Sequence, residues 1–518
     1  MTTSESKPDR WGWARRLGPI LASVAMLALA FPPFNLSLLV FVALVPWLVS
    51  LRGTSAKGAV KSGYTFGLLY FLFQMFWIMP FVLKWTGNLV SAMLPWVVAS
   101  LIAGLFYALA GWLIHRAFSL KWVWAVPFVW TGIEALRAYV PGLAFPWGIV
   151  ALPLGIFPGM VQHAALGTIF LVSAWVVLAN LIVMEFFFPR VGEDGKPVPL
   201  NPRVVLRYSL TFVGFFVFSA VRFGMPVEIT TKTFTLGQPG VDMAFQTPEE
   251  ESLALYNATP ILLAGAMSQQ SDLLILPEGY AGRVAAMPPE TPLTTEPPVP
   301  VMMGGQRTDI LAEGQPTYQT AFVWDGKNWE YADKTRLVVF GEYVPLRDQL
   351  PILQQFNLPA GDLTAADELK TPQIGDFKAG PLICFEGIFP DLAAHHTSQG
   401  AQVLIQMSID DWYEETPAWD QLWMSTVWRS IESGVPILRV GARGKTLATD
   451  ARGRLLGEAP VGRAVPMRVD VGIPNQSDAF DGRMGFVYLT WAMCFVVGLW
   501  GVFVTRLARK LPEASVPK

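Results

Sequence analysis

The segment "PLICFEGIFP" (residues 381–390) joins an apolar, β-prone run to a cysteine, and a glutamate follows two positions later. The chain has only one other cysteine, Cys494, inside an apolar segment near the C-terminus. Two such cysteines cannot make a disulfide framework, so we expect Cys384 to be a free thiol. A lone buried cysteine is most often a small apolar side chain. The residues around it therefore decide whether it is reactive.

The composition indicates a membrane protein of more than one domain. The chain has 518 residues, of which 52% are hydrophobic and only 15% are charged. Such a length exceeds what one compact core usually serves. The net charge is −2, and basic residues do not alternate with aromatic ones, so the sequence gives no support for nucleic-acid binding.

Long apolar runs with few charges are concentrated in two parts of the chain. A bilayer core needs about 20 apolar residues per helix; most of the runs meet this length. They therefore predict a polytopic helical bundle of about eight spans, the second being marginal in length. The runs cover residues 17–33, 37–51, 62–83, 89–114, 122–140, 165–188, 205–223 and 485–506.

Lysine and arginine are concentrated in alternate connections, which predicts the orientation of the bundle. This pattern places both termini in the cytoplasm. A cleaved signal peptide at 15–30 is the competing interpretation, but seven further spans would follow and would break the charge pattern. The basic residues include Arg15, Arg16, Arg52, Lys57, Arg116, Lys121, Arg203, Arg207, Arg506 and Lys510.

Residues 228–478 differ in kind, because short strand patterns alternate there with helical periodicity. This alternation predicts an α/β layered domain between the seventh and eighth spans, outside the cytoplasm. The domains expected are thus 1–227 (membrane), 228–478 (soluble) and 479–518 (last span and tail). A proline-rich loop at 287–300 is either a lid or a surface excursion. Predicted strands lie at 233–238, 272–276, 319–325, 380–384, 402–407, 435–440 and 464–470, with a hairpin at 450–454.

Three polar segments of this domain lie where predicted strands end, a common position for active-site side chains. Glu278 lies in "LILPEGY" (274–280), Lys334 and Glu342 lie in "YADKTRLVVFGEYVP" (331–345), and Glu386 follows Cys384. These residue types permit nucleophilic acyl transfer. A desolvated carboxylate can take the thiol proton, and a lysine can stabilise an oxyanion. Glu342 or Glu386 would orient the lysine or balance its charge.

Each of these residues also has an ordinary structural interpretation, as a helix cap, a surface lysine or a core cysteine. His395 and His396 invite a metal site, but no further ligands stand at suitable spacing. We therefore expect neither a metal nor a cofactor. Glu134 and Arg137 lie on one face of a predicted span, where charges are costly. They are either a structural ion pair or a site that guides a lipid headgroup.

The order "PEG", "DKTRLVVFGEYVP", "CFEG" resembles the Glu–Lys–Cys triad of the nitrilase superfamily. Together with the insertion between spans seven and eight, and with "TGIEALRAYVPGLAFPWG" (131–148), it resembles the bacterial apolipoprotein N-acyltransferase family over nearly the whole chain. The resemblance implies an α-β-β-α sandwich with Glu278 as general base, Lys334 as oxyanion stabiliser and Cys384 as nucleophile. Glu342, Phe385 and Glu386 would be supporting residues.

The same resemblance implies the reaction and the location. Cys384 would accept an acyl chain from a membrane phospholipid as a thioester and pass it to the N-terminal amine of an apolipoprotein's diacylglyceryl-cysteine. The protein would lie in the bacterial inner membrane with its catalytic domain in the periplasm. A membrane-anchored amidase, or a transporter or assembly protein with a decayed domain, are the alternatives. Eight spans exceed what an anchor needs, and an intact triad argues against decay.

Three segments depart from the family pattern. Ile409 stands where the family usually has asparagine, Leu422 where it has histidine, and "VGARG" (440–444) where it has an asparagine-rich turn. The triad is unaffected by these changes. We expect their effect, if any, on recognition of the acceptor.

Overall fold

The computed structural model describes residues 12–189, 201–285, 296–345, 361–413 and 416–510, with a few isolated residues between these ranges. Most of the proline-rich segment 287–300 lies outside them. The described chain forms a helical part and an α/β part. In the sequence, the α/β part is inserted between two consecutive helices of the helical part.

Among the described residues, the helical part contains nine α-helices. They are mostly apolar and pack around one large core of buried Leu, Val, Phe and Trp side chains. Their bounds are α1 Gly12–Ala30, α2 Val45–Leu51, α3 Ala56–Gln74, α4 Ile78–Thr86, α5 Leu89–Ser119, α6 Val126–Tyr139, α7 Ala164–Phe187, α8 Pro202–Gly224 and, after the α/β part, α12 Gly485–Lys510.

Four described segments are long and apolar enough to cross a membrane: Leu89–Ser119, Ala164–Phe187, Pro202–Gly224 and Asp481–Trp500. The bent pair α3 and α4, at 52° to each other, makes a fifth if it is counted as one span. The predicted count of about eight is therefore not confirmed. The run 37–51 divides into a 3₁₀ turn and the seven residues of α2, and the run 122–140 yields only the 14 residues of α6.

In the described segments of the α/β part, the strands form two sheets. One has the strand order β13-β1-β2-β4-β5-β6, with β3 beside β4, and the other has the order β12-β11-β10-β9-β8-β7. All seven predicted strands and the hairpin are present. The strands are β1 Ile229–Gln238, β2 Leu273–Ile275, β3 Arg283–Val284, β4 Val301–Thr308, β5 Thr317–Trp324, β6 Trp329–Asp333, β7 Gln373–Ile374, β8 Phe377–Ile383, β9 Val403–Ser408, β10 Ile437–Gly441, β11 Leu447–Thr449, β12 Leu455–Glu458 and β13 Val465–Pro474.

The two sheets pack face to face, and helices cover their outer faces. Successive side chains of a strand point to opposite faces. Leu273 and Ile275 accordingly enter the core between the sheets, while Leu274 packs against α9 (Pro248–Ser268) on the outside. Helices α10 (Pro390–Ser398) and α11 (Pro417–Ser433) cover the other sheet. The layers follow the order α-β-β-α, as predicted.

The α/β part enters and leaves through neighbouring strands. β1 and β13 pair antiparallel along their whole length, with Ile229 opposite Pro474. Helix α8 ends at Gly224 just before β1, and α12 begins at Gly485 soon after β13. Helix α11 also rests on the helical part, where the Trp428 Nε1 donates to the Leu152 carbonyl at 3.0 Å. The second sheet is thus held close to the apolar helices.

Candidate active site

The ends of three strands bring the predicted Glu, Lys and Cys together. Glu278 follows β2, Lys334 follows β6 and Cys384 follows β8. Their exposed fractions are only 5%, 0% and 8%. The three groups lie close enough for each to influence the pKa of the others. The structure therefore unites residues that are 106 positions apart in the sequence (384 − 278).

Cys384 opens a 3₁₀ turn that runs to Ile388, here called the nucleophile loop. Its φ is +53°, a left-handed conformation that costs a non-glycine residue free energy and is frequent at functional sites. The Ser408 hydroxyl lies 3.7 Å from its Sγ. Burial and the negative charge of Glu278 raise the pKa of the thiol, and Lys334 only partly offsets them. The resting thiol is therefore protonated at neutral pH and needs a base.

Glu278 is suited to be that base. Its Oε2 accepts a hydrogen bond from the Ile409 backbone amide at 3.1 Å. Burial raises the pKa of the carboxyl to about 7, against the opposing effect of the Lys334 charge. A base with a pKa near the working pH can both take and return a proton. Because the Ile409 contact is made by the backbone, it does not depend on the asparagine that is usual there.

Lys334 is fully buried and paired. Its Nζ lies 2.6 Å from Glu342 Oε1, and the other carboxylate oxygen of Glu342 accepts from the Val338 amide at 2.9 Å. Burial works to lower the pKa of the lysine, but the carboxylates of Glu342 and Glu278 outweigh it and raise the pKa. The ammonium is therefore a permanent positive charge beside the thiol, and Glu342 holds it in place.

Glu386 has a different role from Glu342, although the sequence left the two interchangeable. Its Oε1 accepts from the backbone amides of Thr335 at 2.9 Å and Arg336 at 3.1 Å, and its Oε2 accepts from the Ile383 amide at 2.9 Å. The carboxylate thus ties the loop after Lys334 to the strand that carries Cys384. Burial raises its pKa.

Phe385 connects the site to the helical part. Its ring stacks on Phe145 with centroids 5.4 Å apart, and it also contacts Phe389. Trp77 and Trp147 pack beside it in the same apolar cluster. The nucleophile loop thus lies directly on apolar side chains of the helical part.

Glu134 and Arg137, expected to be a structural ion pair or a site that guides a lipid headgroup, each bond to a backbone group of the loop after α6. The Glu134 carboxylate accepts from the Val150 amide at 2.8 Å, and Arg137 Nη1 donates to the Phe145 carbonyl at 2.6 Å. Both side chains are buried. They hold the loop that carries Phe145, because each satisfies one of its backbone groups.

A cleft of about 480 Å³ lies between the end of α6 and the loop that follows Lys334, here called the lysine loop (residues 335–345). Its walls are mostly apolar, with the Arg336 side chain among them. That side chain is paired with Asp391 at 2.7 Å. The cleft is lined by Tyr139, Pro141, Ala144, Thr335, Arg336, Leu337, Val339, Tyr343, Leu363 and Ala365.

Sequence reasoning missed the polar residues of β9. Ser408 donates to Asp410 at 2.7 Å, and Asp410 forms a fully buried ion pair with Arg439. Gln406 Nε2 donates to the Cys384 carbonyl at 2.8 Å. The sequence held a signal for them, because Gln406 and Ser408 are the two polar residues of an otherwise apolar strand.

The histidines do not form a metal site with other ligands among the described residues. The His396 ring is buried, and its nitrogens bond to the Pro381 carbonyl at 2.9 Å and the Thr371 hydroxyl at 2.8 Å. This side chain joins α10 to β8. Cys494 lies in α12, against the Val129 carbonyl of α6, with Sγ 3.7 Å from it.

The α/β part, whose layered sheets carry a cysteine, a lysine and a glutamate at their strand ends, is similar in sequence to a carbon–nitrogen hydrolase domain. Residues 246–465 match the family profile described as Carbon-nitrogen hydrolase, and residues 23–182 match the one described as Apolipoprotein N-acyltransferase N-terminal domain. The chain is therefore similar to apolipoprotein N-acyltransferases in its helical part and to carbon-nitrogen hydrolases in its α/β part.

Curated relatives match along most of their length. The apolipoprotein N-acyltransferase of Geobacter metallireducens is 26% identical over 497 residues, 91% of each chain. That of Allorhizobium ampelinum is 28% identical over 478 residues, 86% of this chain and 87% of the relative. Among solved structures, Saccharomyces cerevisiae Nit3, a nitrilase superfamily member, has a TM-score of 0.34 at 18% identity, covering 48% of this chain and 91% of its own.

Proposed function

We propose that this protein transfers a fatty acyl chain from a membrane phospholipid to the N-terminal amine of diacylglyceryl-cysteine in apolipoproteins, through a thioester on Cys384. One observation carries the proposal: a buried thiol, with a carboxylate and an ammonium beside it, sits on a loop that packs against the apolar helical part. The matches to family profiles along both parts of the chain support it.

The first step forms the acyl-enzyme. Glu278 takes the thiol proton, and the thiolate attacks the ester carbonyl of the phospholipid. The Lys334 ammonium stabilises the oxyanion of the tetrahedral intermediate. The ester C–O bond then breaks, and Glu278 returns its proton to the departing lysophospholipid oxygen. The pKa of about 7 allows Glu278 to serve in both directions.

The second step transfers the chain to the acceptor. The neutral amine of the lipoprotein cysteine attacks the thioester carbonyl, and Lys334 stabilises the second oxyanion. Glu278 takes a proton from the attacking nitrogen as the C–S bond breaks, and the proton returns to the Cys384 sulfur. The products are an amide and the original thiol. The apolar side chains around Phe385 limit the access of water, and so favour transfer to the amine over hydrolysis of the thioester.

The membrane arrangement is part of the proposal. We infer eight membrane-crossing segments with both termini in the cytoplasm, so that residues 228–478 face the periplasm, where exported lipoproteins arrive. The distribution of lysine and arginine in the connections supports this orientation. The cleft beside the lysine loop, with its apolar walls, offers space for a lipid chain.

The direct test is to incubate the purified protein with phospholipid alone and to measure its intact mass. The expected result is an increase of one fatty acyl group, located on the peptide that contains Cys384. Cys384→Ala should show no increase, while Cys494→Ala, the matched control in the last helix, should behave as the wild type. Acylation of the Cys384→Ala variant would refute the proposed nucleophile.

A further inference from the structure

Helix α7 is broken near its start. Gly167 has φ −160° and Thr168 has φ +62° and ψ −172°, a conformation that is costly for a threonine. The break interrupts the hydrogen bonds of the helix, so its backbone groups need other partners. The Ala165 carbonyl accepts from the Phe480 amide at 3.0 Å instead.

The amide of Ile169 finds its partner on the α/β part. It donates to the Glu432 carboxylate of α11 at 2.6 Å. Glu432 is 1% exposed and also pairs with Arg429, one turn earlier on α11, at 2.8 Å. Helix α11 therefore contacts the helical part at the broken turn of α7.

Arg429 continues the connection to the nucleophile loop. Its Nη1 donates to the Ile388 carbonyl, the last residue of that loop, at 2.7 Å. At the other end, the Cys384 carbonyl is held by Gln406, whose amide oxygen accepts from Thr426 of α11 at 2.6 Å. Both ends of the nucleophile loop are thus fixed from α11, and α11 is fixed in the break of α7.

We propose that Arg429 is a positioning residue for Cys384. It holds the nucleophile loop in the conformation that gives Cys384 its positive φ, and it links the position of that loop to the packing of α11 against the break in α7. The inference rests on the proposed role of Cys384 as acyl carrier. A cysteine with φ +53° keeps that conformation only while its surroundings enforce it. Removing one of the two ties should misplace the thiol while the rest of the site stays intact.

The test compares Arg429→Lys with Arg452→Lys, both in a Cys494→Ala background. A lysine at 429 can still pair with Glu432, so no buried carboxylate is left alone, but it cannot also reach the Ile388 carbonyl with a second nitrogen. Arg452 is the matched control, because it is a similarly buried arginine paired with Asp478 and, among the described residues, has no hydrogen bond or ion pair with the nucleophile loop. Thermal midpoints of both variants check that they fold.

Two rates are measured: acyl-enzyme formation from phospholipid, and alkylation of Cys384 by iodoacetamide. Arg429→Lys should lower both, acylation by about tenfold or more, with the KM for phospholipid unchanged, while Arg452→Lys keeps wild-type rates. Wild-type rates in Arg429→Lys, or equal losses in both variants, would overturn the inference. If the wild type alkylates but takes no acyl chain, the proposed function fails, and the alkylation comparison alone decides the role of Arg429.

Discussion

Replacing Lys334 by methionine keeps most of the side-chain stem and removes a charge that has no solvent exposure. The loss of one oxyanion-stabilising interaction typically slows the chemical step by about 10²–10³. Both half-reactions pass through an oxyanion, so formation of the acyl-enzyme and transfer from a preformed thioester should both slow. The base is also affected, because the lysine charge lowers the pKa of Glu278. In the variant this carboxyl should titrate at still higher pH.

The same replacement should destabilise the fold, because Glu342 loses the partner that lies 2.6 Å away. Breaking a buried pair from one side costs about 3–5 kcal/mol. The double variant Lys334→Met/Glu342→Gln removes both charges and leaves an amide that can still accept from the Val338 amide. Its thermal midpoint should therefore recover most of the loss, while its acylation rate stays low.

The assay is single-turnover acyl-enzyme formation followed by mass, beside thermal unfolding in the same detergent. In the double variant the thermal midpoint should recover while the acylation rate stays low. If its acylation rate recovers together with its stability, the lysine is a structural charge and has no part in the chemistry.

The site residues, the packing of β4 and the distribution of basic residues each lead to a further expected outcome. The acylation rate should rise with pH and level off above about 7, because only the ionised Glu278 accepts the thiol proton. In Glu278→Gln the acylation rate should be low and independent of pH from about pH 5.5 to about pH 8.5. A Glu278→Gln variant with the pH profile of the wild type would exclude Glu278 as the base. Gly304→Ala should reduce the acylation rate, since a Cβ at that position would lie 2.5 Å from the Glu278 Cα. Full activity would show that β4 can shift to admit the Cβ without affecting Glu278. Reporter fusions near residue 300 and at the C-terminus should report opposite sides of the membrane, and two cytoplasmic signals would refute the proposed orientation.

The α/β part was predictable because its strands bury one face or both and end in turn residues. The sequence missed β4, where Gly304 and Gly305 interrupt the β-prone run. These glycines are explained only by the fold, since the strand passes against the backbone of Glu278 and of the turn that follows it. A contact between residues in different strands leaves no local pattern.

The site residues were predictable as a set, but their separate contacts were not. Glu342 and Glu386 are both acids close to the lysine or the cysteine, yet one binds an ammonium and the other binds three backbone amides. Which acid meets which group depends on how the two loops cross. The helical part was harder, because apolar length alone does not distinguish a span from a short buried helix such as α6.

The pairing of β1 with β13 has a consequence for how such a protein could arise. The two ends of the α/β part lie side by side, because Ile229 at the start of β1 is opposite Pro474 at the end of β13, an arrangement that favours domain insertion. A complete sandwich can be exchanged at this junction without rethreading the bundle. The surfaces through which the two parts contact each other must be inherited together. These contacts join α11 to the break in α7 and Phe385 to Phe145. Chimaeras between relatives should therefore insert well in any combination, but acylate only when both halves of these contacts come from the same parent.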